Sequence, residues 1–424
     1  MNQADPQKLD VVIVGGGMIT LDQILPSIYH LQRTGAVGDI KVCALNAAPL
    51  RELAEEKKFE AAFPGQGFEA HPSLETDPGK MHPDLYKGLV ASMPAHNLVV
   101  VAVPDHFHHD VIMAALMADQ HVLTVKPLVL KHAQAQQIEE LAYERGLIVG
   151  VEYHKRFDRR SLDARGQYRA GRFGEFKCGE ARLIEPWFYR HSNFQNWFTC
   201  ENTDPFTYIG CHYVDLVYFI TGLRPTGVSL QGVKGAFPNG KEGYMWSAAR
   251  VQFENGGLLN VVNGLGYPDK GAGTNDQGIC LYGEGNDCGT ILKHNDQFRG
   301  VSQGYDLDAL ATDDAAFRFI NPDYMRLVPW EGDGLKPVGY GYDSIEASVM
   351  SACRVNTVSR QAIDREALKS RQQHIKQIDD RGIIATPANS AINELVMEAG
   401  RLSILNDGKC AKITYGDHPG VSLA

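Results

Sequence analysis

The sequence predicts an α/β chain whose N-terminal part is a parallel, doubly wound sheet. Three observations predict it. Apolar runs alternate with helical segments through the first 150 residues, the pattern that puts crossover helices on both faces of parallel strands. The first strand breaks directly into three glycines, in "VVIVGGGMIT" (11–20). From about 225 to 300, strands are separated by Gly and Asn turns, the signature of a second sheet built from hairpins.

The elements follow in order. "LDVVIV" (9–14) reads as a buried strand and leads to a helical segment ending near Arg33. "IKVCAL" (40–45) is a second strand, and "PLRELAEEKKFEAAF" has the spacing of one amphipathic helix. "NLVVVAV" (97–103), "HHDVIMAALMAD", "HVLTV" (121–125), "KHAQAQQIEELAYERG" and "LIVGV" continue the alternation of strand and helix. "TGVSLQGV", "YMWSAARVQFENGGLLNVVNGLG" and "GICLYGEGNDCGTILK" are the later strands. Residues 300–345 are irregular and read as an added elaboration. Helical patterns follow at 345–363 and 389–407, the latter with Asn389 and Ser390 at its start and Gly408 at its end.

A strand that ends in glycines and opens a helix is suited to a dinucleotide. Gly15 permits the tight turn, Gly17 lets backbone N–H groups approach a pyrophosphate, and the helix start at Met18 and Ile19 adds favourable partial charge. Thr20 stands where a third small residue is usual, and its hydroxyl is a candidate phosphate donor. Pro26 must kink this helix or lie in its first turn. At the end of the second strand Asn46 can bond a ribose hydroxyl, and Arg51 follows five residues later. NAD is the expected cofactor, with NADP possible.

Composition narrows the classes. The 424 residues are 44% hydrophobic and 22% charged, enough for two or three domains with ample cores. No apolar run approaches the ~20 residues of a membrane span. The opening "MNQADPQKLD" has no basic-then-apolar pattern, so no secretory signal is read. Eight scattered cysteines without CxxC spacing point to reduced thiols and a cytoplasmic protein. A net charge of −10 and the lack of a basic stripe argue against a nucleic-acid partner.

The stretch "VAVPDHFHHDVIMAALMADQHVLTVKPLVL" (101–130) carries a Pro104-Asp105-x-x-His108 turn, a helix, a strand and Val125-Lys126-Pro127. With "YHKRFD" (153–158), "GRFGEF" (171–176) and "GCHYVDLVYFITG" (210–222), it resembles the Gfo/Idh/MocA oxidoreductases. The resemblance implies a Rossmann dinucleotide-binding domain over 1–151. It also implies a C-terminal α+β domain over 152–424, with a large, mostly antiparallel open sheet that often forms the oligomer interface. A homodimer or homotetramer is therefore expected. It further implies that Pro104, Asp105 and His108 line the cofactor pocket. Lys126 follows a strand, at the carboxyl edge where such sheets bind ligands, and an ammonium there can orient a substrate oxygen. His106, His108 and His109 lack downstream partners for a metal, and none is expected.

"TDPFTYIGCHYVDLVYFITG" (203–222) has clear helix punctuation, with Thr203 or Asp204 as cap, Pro205 at the first position and Gly222 at the end. At 3.6 residues per turn Tyr208, His212, Asp215 and Phe219 share one stripe. In the family this helix carries an aspartate and, four residues on, a histidine. His212 matches the histidine, and Tyr208 occupies the aspartate position. Asp204, one turn earlier, is a candidate substitute. Candidate catalytic residues are Lys126, His212 and Tyr208. Candidate substrate contacts are Lys126, His154, Arg156, Trp187, Tyr208 and His212, with Tyr189, His191 and Asn193 in the same aromatic stretch.

These readings imply an NAD(P)-dependent oxidoreductase acting on a sugar, sugar acid, glycoside or polyol. The altered aspartate keeps a redox-neutral isomerase, epimerase or glycoside-cleaving enzyme with retained NAD as the alternative. A non-catalytic sugar or nucleotide sensor is the third.

Overall fold

Leu9–Val14 is buried at all but one position, as a parallel strand covered on both faces requires. In the computed structural model this strand, β1, lies inside a six-stranded parallel sheet. Its partners are β2 (Val37–Cys43), β3 (Glu69–His71), β4 (Leu98–Val101), β5 (His121–Val125) and β6 (Val149–Glu152). The order β3-β2-β1-β4-β5-β6 is the Rossmann order. The structure describes residues 8–269, 275–285, 287–295, 300–304, 315–318, 324–359 and 364–424.

The chain divides into two compact units, the first comprising Met1–Val129, Ala133–Phe157 and Asp323–Ala391. The sequence reading placed everything after residue 151 in the second domain, whereas the long helix Tyr340–Ser359 packs in the first unit. The reason is its apolar face. Ile345, Val349, Ala352 and Val355 are fully buried in one core with Leu9, Val11, Ile28 and Val42. Each buried Ile, Val or Leu side chain here contributes about 1.5–3 kcal/mol by leaving water.

Several local expectations change. The segment read as one helix over 49–63 is two, Ala48–Ala54 and Lys57–Ala62. Glu56 is extended between them and its side chain accepts from Lys58 N–H, capping the second. The C-terminal helix is likewise split: Thr386 forms a capping box with Asn389 for Pro387–Ser390, and Ile392–Ile404 follows. The helix Asp364–Arg381 had no counterpart in the sequence reading.

The second unit comprises Leu130–His132, Asp158–Pro322 and Ile392–Ala424. Its sheet contains β7 (Glu175–Pro186), β8 (Pro225–Ala236), β9 (Glu242–Phe253), β10 (Leu258–Tyr267), β11 (Asp276–Gly285), β12 (Cys288–Asn295), β13 (Gly300–Gly304) and β14 (Ala315–Arg318). The order is β14-β13-β12-β11-β7-β10-β9-β8, continued by the strands Ala411–Thr414 and Gly420–Leu423. Among the described strands of this sheet only β7 and β10 pair in parallel, so it is mostly antiparallel. Residues 305–314 and 319–323 of the 300–345 elaboration, like residues 1–7 of the N-terminal reading, lie outside the described residues. Its later part is not irregular, since Arg326–Pro329 pairs with Leu335–Val338 and the helix Tyr340–Ser359 follows. Among the described residues no helix is long and apolar enough to cross a membrane.

Candidate active site

The strand order of the first sheet reverses between β1 and β4, and such a switch point opens a crevice at the carboxyl edge. The glycine turn sits there. Gly15 has φ +122°, and a Cβ on it would lie 2.0 Å from the Ala102 carbonyl oxygen, so only glycine fits. Its N–H donates to Cys43 C=O at 2.8 Å, while Ala102 N–H donates to Val14 C=O at 2.8 Å. Gly17 differs: a Cβ there would meet nothing within 4 Å. Its open side is what the close approach of a pyrophosphate requires.

Thr20 does not present its hydroxyl to that opening. The side chain is fully buried, and the hydroxyl donates to Gly15 C=O at 2.7 Å. The expectation of a phosphate donor is corrected: Thr20 braces the turn from within. The helix that begins at Met18 and Ile19 contains a π turn over Thr20–Ile24, where Leu25 N–H reaches back to Thr20 C=O. Pro26 follows in the first turn of the regular helix Leu25–Arg33. The extra residue of the π turn accommodates the missing proline N–H.

Asn46 lies beyond β2, where its Oδ1 accepts from Ala48 N–H at 3.0 Å and so opens the next helix. Arg51 is turned away from duty as a phosphate clamp. Its Nε donates to Leu74 C=O at 2.8 Å and its Nη2 to Thr76 C=O at 3.0 Å.

Pro104 caps the short turn Asp105–Phe107, and Asp105 is buried at its start. His108 is fully buried, with Nδ1 2.8 Å from Pro127 C=O and Nε2 2.9 Å from Val103 C=O. Rather than lining a pocket, it ties the turn after β4 to the segment after β5. Burial, and secondarily the nearness of His108, holds the His106 imidazole below its ordinary range. Lys126 directly follows β5, half-buried, at a cis peptide to Pro127. Val125 pairs with Glu152 at the end of β6, so Lys126 and His154 leave neighbouring strand ends. Arg156 is another correction. It is buried, and its guanidinium donates to the side chain and carbonyl of Asn389 at 2.9 and 3.4 Å, so it serves as an internal strut.

In the second unit, Asp204 caps its helix as the punctuation predicts, accepting from Thr207 N–H at 2.9 Å and from the Thr207 hydroxyl at 3.0 Å. The oxygen that takes the hydroxyl, Oδ2, also accepts from Arg401 at 3.2 Å. These partners fix Asp204 as a helix cap, so it does not replace the missing carboxylate. Residues Phe206–Gly210 form a π turn before the helix Cys211–Thr221, which ends at Gly222 with φ +75°. The single stripe assumed 3.6 residues per turn, and the structure breaks it. Asp215 is buried and accepts from Asn393 Nδ2 at 2.8 Å, and Phe219 lies under the Arg165 guanidinium, 4.4 Å away. Tyr208 is half-buried, and its ring meets Phe194, Trp197 and Phe198 edge-on, with centroids 5.3–5.6 Å apart. His212 is buried one turn later.

Trp187 is exposed, with the Arg190 guanidinium 4.0 Å over its ring. Tyr189 packs on Phe194, and Asn193 accepts from Asn196. Sequence reasoning missed Glu152, whose Oε2 lies 3.3 Å from His154 Nδ1, and Gln23, Ser344 and Tyr324, which join it in one buried network. The only sequence signal was a Glu-x-His pattern leaving a buried strand. Among the described residues no group of three or more His, Cys, Asp or Glu is placed to hold a metal.

Residues 9–153 match the family model described as an oxidoreductase family with an NAD-binding Rossmann fold, Gfo/Idh/MocA. The match is confined to the N-terminal region. D-glucoside 3-dehydrogenase of Escherichia coli is 26% identical over 219 residues, covering 50% of this chain and 54% of that protein. The chain spans from about a quarter to about half the length of the curated relatives it matches. Among solved structures, scyllo-inositol dehydrogenase from Lactobacillus casei with NAD(H) and scyllo-inositol has TM-score 0.57 at 17% identity, covering 96% of this chain and 99% of that one. Levoglucosan dehydrogenase with NADH and levoglucosan has TM-score 0.62 at 16% identity, covering 96% and 99%. These two likenesses are of fold.

Proposed function

We propose that the chain is an NAD-dependent oxidoreductase acting on a sugar, sugar acid, glycoside or polyol. One observation carries the reading: the glycine turn at the β1/β4 switch point is open over Gly17, in a region that matches the model of an NAD-binding family. NAD, when bound, supplies the acceptor or donor of hydride. Backbone N–H groups of Gly15–Ile19 would hold its pyrophosphate, and Asn46 a ribose hydroxyl. Lys126 would orient the substrate oxygen, favouring developing negative charge on it. His212 would handle the hydroxyl proton, with Tyr208 bonding the substrate beside it. The sugar and polyol dehydrogenases among its relatives support the substrate class.

We also propose a homodimer or homotetramer assembled on the open face of the large sheet. Val233, Trp246, Val262 and Tyr282 are exposed on β8–β11, and an apolar face of this kind usually finds a partner. That none of the eight cysteines is in a disulfide supports a cytoplasmic location. The functional test is a panel of sugars and polyols with NAD, read as appearance of free NADH. Turnover with release of NADH is the expected result. Product formation without it would indicate retained, redox-neutral NAD.

A further inference from the structure

We propose that Tyr324, with the hairpin that follows it, clamps the helix after the glycine turn, which makes it a positioning residue for the cofactor. The inference rests on the NAD site proposed at Gly15–Ile19. That turn runs directly into the π turn Thr20–Ile24 and the helix Leu25–Arg33. A shift or tilt of the helix therefore moves the N–H groups of Gly17–Ile19 with it. Bonds from such groups to a pyrophosphate are short and directional, so their placement sets affinity.

The helix is gripped first at its start. Gln23 is fully buried in the π turn, and its Oε1 accepts from the hydroxyl of Tyr324, 301 positions later in the chain. Its Nε2 donates to Glu152 Oε1 and, at 2.9 Å, to Gly341 C=O. Tyr324 is held in turn. Its carbonyl accepts from Gly341 N–H at 2.8 Å, and its ring lies 5.5 Å from that of Tyr340. The fit is close enough that a Cβ on Gly341 would meet the Tyr324 ring at 2.8 Å.

The second grip is at the helix end, and it comes from the hairpin Arg326–Pro329 and Leu335–Val338. Arg33 donates to Asp333 C=O at 2.8 Å and to Leu335 C=O at 2.5 Å. Trp330 meets the His30 ring edge-on at 4.9 Å, and the Arg33 guanidinium lies 4.9 Å over its indole. Gln23 and Arg33 are about 15 Å apart along a helix at 1.5 Å per residue. Two fixed points so far apart set both the axial position and the tilt of the helix. One segment of the chain supplies both, and only the Tyr324 end lies next to the glycine turn.

Calorimetric titration of NAD and of ADP-ribose into wild type and Tyr324→Phe tests this. The variant keeps the ring and removes one hydrogen bond. Both ligands should bind about three- to tenfold more weakly, the worth of one net hydrogen bond. The factor should be the same for both, because both carry the pyrophosphate. The thermal midpoint of the cofactor-free variant should fall by no more than a few degrees. Unchanged affinity for both ligands overturns the proposal and leaves the bond a purely structural one. A loss for NAD alone also overturns it, since the effect would then arise at the nicotinamide end. If the variant does not fold, wild type decides through amide hydrogen exchange, because coupling between sites is reciprocal. NAD should slow exchange across Arg326–Val338, and unchanged exchange there overturns the clamp. If wild type binds neither ligand, the proposed NAD site falls, and the clamp's role at a cofactor falls with it. Binding by wild type that the variant matches removes the clamp alone.

Discussion

The hydroxyl of Thr20 donates to the carbonyl of Gly15 at 2.7 Å, closing the glycine turn from its buried side. The residue that departs from the usual glycine pattern thus supports the turn. Thr20→Val keeps the shape, removes the donor and leaves the Gly15 carbonyl unsatisfied. The expected loss is about 1–3 kcal/mol of stability, the usual cost of such a buried group. Urea denaturation of the two proteins measures it, and equal midpoints would show that the bond carries no weight.

Cofactor choice follows from Arg51. Its guanidinium is engaged by the carbonyls of Leu74 and Thr76, and Asn46 at the strand end neither repels nor clamps a 2′-phosphate. NAD should bind more tightly than NADP, and Arg51→Ala should not reverse the order. Calorimetry with both cofactors decides. Tighter NADP binding that is lost in Arg51→Ala would mean that the arginine leaves its carbonyls for the phosphate.

Acid should destabilise the first unit through His121 and His30. Burial is the main cause that lowers each to about 4 from an ordinary 6.5. His121 Nδ1 accepts from Ile148 N–H at 3.1 Å, and its other nitrogen lies 2.8 Å from Asn356 Oδ1. The neutral ring is therefore fully bonded, and an added proton would face a donor. Because the folded values lie below the unfolded ones, the unfolded chain binds more protons between about pH 6.5 and 4. Stability should fall as pH drops through that window, by on the order of 3 kcal/mol for His121. Denaturation midpoints measured from pH 7.5 to 4 check the sign, and a flat profile would contradict it.

The helix that carries Tyr208 and His212 gives a paired prediction. His212→Ala should lower turnover ~10²–10⁴-fold, the usual range for losing a proton-transfer residue. Tyr208→Phe keeps the ring among Phe194, Trp197 and Phe198 and removes only the hydroxyl. If that hydroxyl bonds substrate, kcat and kcat/KM should fall together. Wild-type kinetics in Tyr208→Phe would reduce the tyrosine to a packing residue.

Much of this was legible in the chain. Strands β1, β4 and β5 are apolar runs, and burial on both faces makes such runs unambiguous. Asp204, Pro205 and Gly222 mark their helix because cap, first turn and left-handed terminus each demand a residue type. Both π turns escaped notice, since an inserted residue in a helix leaves no local signature. One is set by Pro26. At the other, Gly210 packs so tightly that a Cβ would meet Asn263 Oδ1 at 2.6 Å and the Phe206 ring at 2.8 Å. The fates of His108 and Arg156 were invisible for a related reason. Their partners are backbone carbonyls and Asn389, which sequence spacing does not reveal. The Glu152 network joins residues 23, 152, 324 and 344, and only the fold brings them together.

If the turn at Gly15–Ile19 holds the pyrophosphate of NAD, the variant Gly17→Ala must show it. A methyl at Gly17 meets no protein atom within 4 Å, so the variant should fold with an unchanged thermal midpoint. The same methyl would stand where the pyrophosphate approaches. Calorimetric titration of NAD into wild type should give clear binding, and into Gly17→Ala an affinity at least about tenfold weaker, some 1.4 kcal/mol. Equal NAD affinity in the two proteins, or no binding by wild type, would contradict the account.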